Sequence, residues 1–165
     1  MKIQGGTSGV STVRIGVLGA ARIAPAALIR PARDLDGVQV AAIAARDGNR
    51  AAAFAAKHGI ATVHDSYDAL LADPAIDAIY NPLPNGLHGR WTIAALRAGK
   101  HVLCEKPFTA NADEAESVAD VARATDRVVM EAFHYRYHGL TARMLDILAS
   151  GELGDVRHLD TWLCF

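Results

Sequence analysis

Residues 13–24 read VRIGVLGAARIA, and the fold turns on how this stretch is read. Val13–Leu18 is a short apolar run broken only by Arg14, the length of one buried strand. Gly19 stops the run. From Arg22 the pattern becomes helical and reaches Arg33, with Pro25 in the first turn, where its missing N–H costs little. Strand, tight small-residue turn and helix in direct succession open a βαβ unit.

The same alternation repeats outward. Apolar runs predict strands at 38–45, 61–63, 76–80, 101–104 and 127–131. Helices are predicted at 49–58, from a cap at Asp65 or Ser66 to 72, and at 86–98, 111–125 and 140–149. Gly59, Gly99 and Gly151 act as helix stops, and Asn111 with Glu114 three residues on has the form of a capping box. Alternation at this spacing defines an α/β fold, a doubly wound and mostly parallel Rossmann sheet with helices on both faces. The last stretch reads differently. Residues 156–165 are expected to form a strand, either at the edge of the first sheet or opening a second α/β domain. The expected organisation is a mobile tail at 1–12, a main domain at 13–133 and the start of an incomplete second domain at 134–165.

Composition narrows the function. The 165 residues carry 17 basic against 18 acidic side chains, too even a balance for a nucleic-acid or membrane-surface footprint. No apolar run approaches the roughly 18 residues of a membrane span. Residues 1–12 lack the apolar centre of a signal peptide. Cys104 and Cys164 form no disulfide framework, so a reduced, cytoplasmic setting is expected. None of the seven histidines falls into a metal-ligand spacing, and no metal is expected. Cys104 reads as a buried, inert thiol.

Two constellations carry chemistry. Gly19, Ala20, Ala21, Arg22, Ile23 and Ala24 stand where a GxGxxG fingerprint would, with alanines at the later two glycine positions. The first position needs a tight turn, the second close backbone approach to a diphosphate, the third close packing of helix on strand. A plain small-residue turn is the alternative reading. About twenty residues on, the second strand ends in Ala45-Arg46 where a ribose-binding acid would stand. A missing carboxylate removes repulsion against a 2′-phosphate, and Arg46, helped by Arg50, can pair with one. This favours NADP(H) and leaves NAD(H) open; Asp47 next door blurs the choice. The second constellation is Glu105-Lys106-Pro107 at the carboxyl end of a strand, where open α/β sheets bind ligands. A lysine partly desolvated there would exchange a proton with a substrate hydroxyl.

Four stretches together carry a family resemblance: GAARIA at 19–24, PNGLH at 84–88, AGKHVLCEKP at 98–107 and MEAF at 130–133. The sequence resembles the Gfo/Idh/MocA oxidoreductases, most nearly their dihydrodiol dehydrogenase and NADP-dependent D-xylose dehydrogenase branch. The resemblance implies a Rossmann domain followed by a substrate domain with a large open sheet. It implies that Lys106 takes part in catalysis and that Glu105 and Pro107 shape its turn, often with a cis proline. It places the 81–88 loop, with Asn81, Pro82, Leu83, Asn85 and His88, against the cofactor, and makes Glu131 and Arg136 orienting groups at the nicotinamide end. It implies a small sugar or diol as substrate, with neither nucleic acid nor membrane as partner, and a homo-oligomer formed through the C-terminal sheet. The expected function is NADP(H)-dependent hydride transfer to or from a sugar or cyclic diol carbinol. The competing expectation is a dinucleotide-binding fragment without turnover of its own. An S-adenosylmethionine-dependent methyltransferase is disfavoured, since Ala45-Arg46 lacks the acid for ribose and Glu105-Lys106-Pro107 would have no task.

Overall fold

A computed structural model describes residues 11–162. Six strands form one sheet: β1 (Val13–Leu18), β2 (Val38–Ala44), β3 (Thr62–His64), β4 (Ala78–Asn81), β5 (His101–Cys104) and β6 (Val129–Glu131). Their order is β3-β2-β1-β4-β5-β6 and every pair is parallel. The doubly wound expectation holds, and the order reverses beside β1.

Side chains alternate across the sheet, and both faces are covered. Leu18, Ala42, Ala44, Ile79, Val102 and Cys104 face one layer, packed with Leu70, Leu71, Leu96 and Val118 from α3 (Tyr67–Ala72), α4 (His88–Arg97) and α5 (Ala112–Thr125). Val17, Ile43 and Tyr80 face the other, against Ala24, Leu28, Ile29 and Ala55 of the first helical segment and of α2 (Gly48–His58). Each large aliphatic side chain buried this way contributes roughly 1.5–3 kcal/mol.

Local chemistry sets the helix starts. Asp47 Oδ1 accepts from Arg50 N at 3.1 Å, Ser66 Oγ from Ala69 N at 3.0 Å and Asn111 Oδ1 from Glu114 N at 2.9 Å. The Glu114 carboxylate turns back to Ala110 N, one residue before the expected cap partner.

Three expectations need correction. The stretch 22–33 is not one regular helix. Pro25–Ile29 is wound one residue wider per turn, with Arg30 N donating to Pro25 O, before the short α1 (Arg30–Arg33). Pro31 has no N–H for the fourth carbonyl before it, and a widened turn accommodates that gap. The 86–98 helix begins instead with a 3₁₀ turn, Asn85–Leu87, and α4 follows. The strand expected at 156–165 is absent over 156–162, because a strand exists only when paired and no ladder forms there; residues 163–165 lie outside the described residues. So do residues 1–10 of the expected tail.

The described residues divide into two compact units, one ending at Ala132 and one beginning at Phe133. The second contains a 3₁₀ turn, His134–Tyr137, and α6 (Gly139–Ser150), which His138 caps by accepting from Leu140 N.

Candidate functional site

The parallel register brings the strand ends to one edge. Leu18 pairs with Ala44, Asn81 with Cys104, and Cys104 with Glu131. Whatever follows these residues therefore stands side by side: Gly19, Ala45-Arg46, Pro82 and Glu105. The site has two ends along this edge.

At the β1–β2 end, Gly19 has φ +82°, a conformation that favours glycine. A Cβ there would stand 3.0 Å from Leu83 Cδ2. The turn is tied down by Gly19 N donating to Ala44 O at 2.7 Å. A groove of about 430 Å³ opens over it, lined by Gly19, Ala20, Ala21, Arg22, Ile23, Ala45, Arg46, Asp47, Arg50, Pro82, Leu83 and Pro84. Ala24 is fully buried in the core, so its methyl fills the packing position of the third glycine. Arg50 Nη2 donates to Ala20 O at 2.9 Å, fastening the turn from α2. Asp47 is engaged as the cap of α2, which accounts for an acid beside Arg46. Arg46 is exposed at the groove.

At the β4–β5–β6 end, buried side chains hold the Glu105-Lys106-Pro107 loop. The Lys106–Pro107 peptide is cis. Tyr80 Oη donates to Glu105 Oε1 at 2.7 Å, and Glu105 Oε2 accepts from Lys106 N at 3.3 Å. Burial first, then the bond to Glu105, pushes the Tyr80 hydroxyl well above its ordinary range, so it stays a donor. Phe108 N donates to Glu131 Oε1 at 2.8 Å. His88, at 1% exposure, sets Nδ1 at 2.7 Å from Pro107 O and Nε2 at 2.6 Å from Leu83 O. Fully buried Asn81 donates from Nδ2 to His88 O at 3.1 Å and to Thr92 Oγ1 at 3.2 Å. Glu114 reaches into the space beside Gly89, where its carboxyl group takes the place a Cβ would need, so α5 meets α4 at a residue without a side chain. Burial pushes the Cys104 thiol up to about 11, which leaves it protonated and unreactive.

The sequence-named residues thus separate. Gly19 to Ile23, Arg46, Arg50, Pro82 and Leu83 share the groove. Glu105, Lys106 and Glu131 meet at the second end. Asn81 and His88 are buried beneath both, and Asn85 is exposed in its 3₁₀ turn. Glu131 is occupied as an anchor of the loop. Arg136 belongs to the second unit, with its N–H on Phe133 O. The partial desolvation expected for Lys106 is not found: its side chain is exposed. Tyr80, Thr92 and Glu114 were missed. A buried tyrosine needs a hydroxyl partner, and Thr92 lies at i+4 from His88, so both signals were present in the pattern.

A small-residue turn with a required glycine, arginines at one end of a groove and a lysine loop at the same sheet edge define a nucleotide-binding α/β protein. Comparison with known proteins agrees. A model of the oxidoreductase family with NAD-binding Rossmann fold, GFO_IDH_MocA, matches residues 13–133, and the chain belongs to that family. It is 51% identical over 141 residues to D-xylose 1-dehydrogenase (NADP(+)) 2 of Haloferax volcanii, covering 86% of this chain and 43% of that protein. It is 41% identical over 155 residues to dTDP-3,4-didehydro-2,6-dideoxy-alpha-D-glucose 3-reductase of Streptomyces violaceoruber, covering 94% and 45%. The crystal structure of KijD10, a 3-ketoreductase from Actinomadura kijaniata in complex with NADP, superposes with a TM-score of 0.79 at 39% identity, covering 89% of this chain and 47% of that one. The chain spans less than half the length of these relatives. Among the described residues no helix is long and apolar enough to cross a membrane, and no group of His, Cys, Asp or Glu could hold a metal ion.

Proposed function

We propose that the protein is an NADP(H)-dependent oxidoreductase acting on a carbinol or ketone carbon of a sugar or cyclic diol. The observation that carries this is the shared edge, with the Gly19 groove and its arginines at one end and the Glu105-Lys106-Pro107 loop at the other. The residues present fit the cofactor. Gly19 leaves open the space a Cβ would take against Leu83, the backbone of 20–23 precedes the helix, and Arg46 stands exposed where a 2′-phosphate needs a cation. When bound, NADP(H) supplies or accepts the hydride at its nicotinamide ring. Gly19, Ala20 and Ala21 receive the diphosphate, and Arg46 holds the 2′-phosphate. Arg50 keeps the turn in shape through Ala20 O. Lys106 Nζ exchanges a proton with the substrate oxygen. Tyr80 and Glu131 hold its loop still through Glu105 and Phe108. In this reading 13–133 is the dinucleotide-binding domain and 134–165 begins the substrate domain. The named relatives, which act on D-xylose or on a dTDP-linked keto sugar, support the substrate class.

Titration of the chain with NADPH and NADH, followed by nucleotide fluorescence, tests the reading. NADPH is expected to bind about tenfold or more tightly, the worth of one charge-assisted pair. Equal affinities would remove the role of Arg46, and no binding of either would remove the cofactor.

A further inference from the structure

His88 is the first residue of α4 and almost fully buried, yet both of its ring nitrogens face backbone carbonyl oxygens, at 2.7 Å and 2.6 Å. Carbonyl oxygens only accept, and a neutral imidazole has a single N–H. Two contacts this short take an N–H on each nitrogen. The carbonyls belong to the two ends of the site. Leu83 walls the groove against Gly19, and Pro107 directly follows Lys106. Charged groups lie on each element that packs around the loop. Glu114 of α5 packs on Gly89, Glu131 ends β6 beside Cys104, and Glu105 and Lys106 lie on the loop itself. On the helix of His88 itself, Arg90 is exposed and lies over the Trp91 ring.

We propose that His88 is a positioning residue that bears a proton on each ring nitrogen and ties Leu83 O to Pro107 O. It thereby sets where Lys106 stands relative to a nicotinamide bound in the groove. The second half of this inference rests on the cofactor reading above; the first half does not.

Two substitutions each keep one arm. His88→Gln places an amide near the Nε2 position and retains the bond to Leu83 O; His88→Asn places one near Nδ1 and retains Pro107 O. In wild-type chain labelled with ¹⁵N-histidine, one histidine at neutral pH is expected to show both ring nitrogens protonated, and the His88→Gln spectrum is expected to lack it. In both variants NADPH binding is expected to weaken about tenfold, the effect of one lost buried charge-assisted bond. In His88→Gln the adenine-end probe 2′,5′-ADP should stay within about twofold, because the arm to Leu83 at the groove is kept and only the arm to Pro107 is lost. A single N–H on His88 would overturn the proposal. So would equal weakening of both ligands, the mark of a merely structural residue, or unchanged NADPH binding. If wild type bound neither ligand, the cofactor reading would be what fails. The spectrum would then decide alone, two protons upholding the tie between the carbonyls and one proton ending it. If His88→Gln did not fold, the wild-type spectrum would decide, two protons upholding the proposal and one proton ending it.

Discussion

The two ends of the site are built by different means. The Gly19 end is backbone and open charge: one positive φ, one hydrogen bond to Ala44 and arginines on the surface. The Lys106 end is held from beneath by side chains of β4, α4, α5 and β6, nearly all buried or half-buried. Its bonds span 25 residues from Tyr80 to Glu105, 19 from His88 to Pro107 and 23 from Phe108 to Glu131. One end is a local motif and the other is a tertiary network. They should fail differently, the network by losing stability and the motif by losing ligand.

The largest effect is expected at the network. Asn81→Leu leaves Leu83 N without its partner and takes one bond each from the His88 carbonyl and the Thr92 hydroxyl, all around a fully buried place. Buried polar groups left unpaired cost about 1–3 kcal/mol each, so roughly 3 kcal/mol or more of stability should go. Urea unfolding checks this, and a loss of under about 1 kcal/mol would show that the network relaxes onto water. Next comes Gly19→Ala at the motif. Placing alanine at φ +82° costs about 1–2 kcal/mol, and the new methyl meets Leu83. Affinity for NADPH and NADH should fall together, by about tenfold or more, while the loss in unfolding free energy stays below that of Asn81→Leu. Unchanged binding would mean that the turn is not where the diphosphate sits.

This division also explains what could be read in advance. The strand–helix alternation, the parallel sheet with helices on both faces and the run Gly19 to Ile23 were legible in short-range pattern, namely period, glycine stops and caps, whereas the order β3-β2-β1-β4-β5-β6 is set by which strands pair across the chain. His101–Cys104 was anticipated to the residue. The widened turn at Pro25–Ile29 was not, because it answers a proline six residues further along than the one that drew notice. At the second end, Glu105-Lys106-Pro107 stands out in sequence, but its supports do not. Tyr80 reads as one more apolar strand residue until the alternation of β4 turns its hydroxyl toward Glu105. Glu131 reads as a ligand-facing acid until Phe108 N is found on it. The terminal apolar stretch of 156–162 has strand composition without a strand, since composition supplies the side chains but not the neighbour a ladder requires.

A smaller effect separates the arginines at the motif end. Arg46→Ala should weaken NADPH by about tenfold, the worth of a charge-assisted bond to phosphate, and leave NADH within about twofold. Arg50→Ala should weaken both nucleotides equally, because its guanidinium already holds Ala20 O. Competition binding with the two cofactors distinguishes these outcomes; a selective loss in Arg50→Ala would exchange the assignments.

The smallest effect lies at the opposite edge of the sheet and serves as the control for both ends. Arg14 donates to Asp77 from Nε at 3.1 Å, from Nη2 at 3.2 Å and from its backbone N at 2.8 Å. The side-chain bonds first, then the backbone bond, hold the Asp77 carboxyl below the usual carboxylate range. A carboxyl depressed in the folded state adds stability above its unfolded value, roughly pH 4, and loses it as pH falls through the lower folded one. Asp77→Asn should therefore be less stable at neutral pH, converge with wild type in acid and flatten the acid limb between. The difference should be small, because the two side chains are 42% and 37% exposed and water screens the pair. Unfolding curves taken from neutral to acid pH measure it, and curves that stay parallel would assign the loss to something other than this charge. NADPH affinity at neutral pH should not change. If it did, the two ends of the carboxyl edge would not be independent of the strand starts, and the contrast between motif and network would be one of degree.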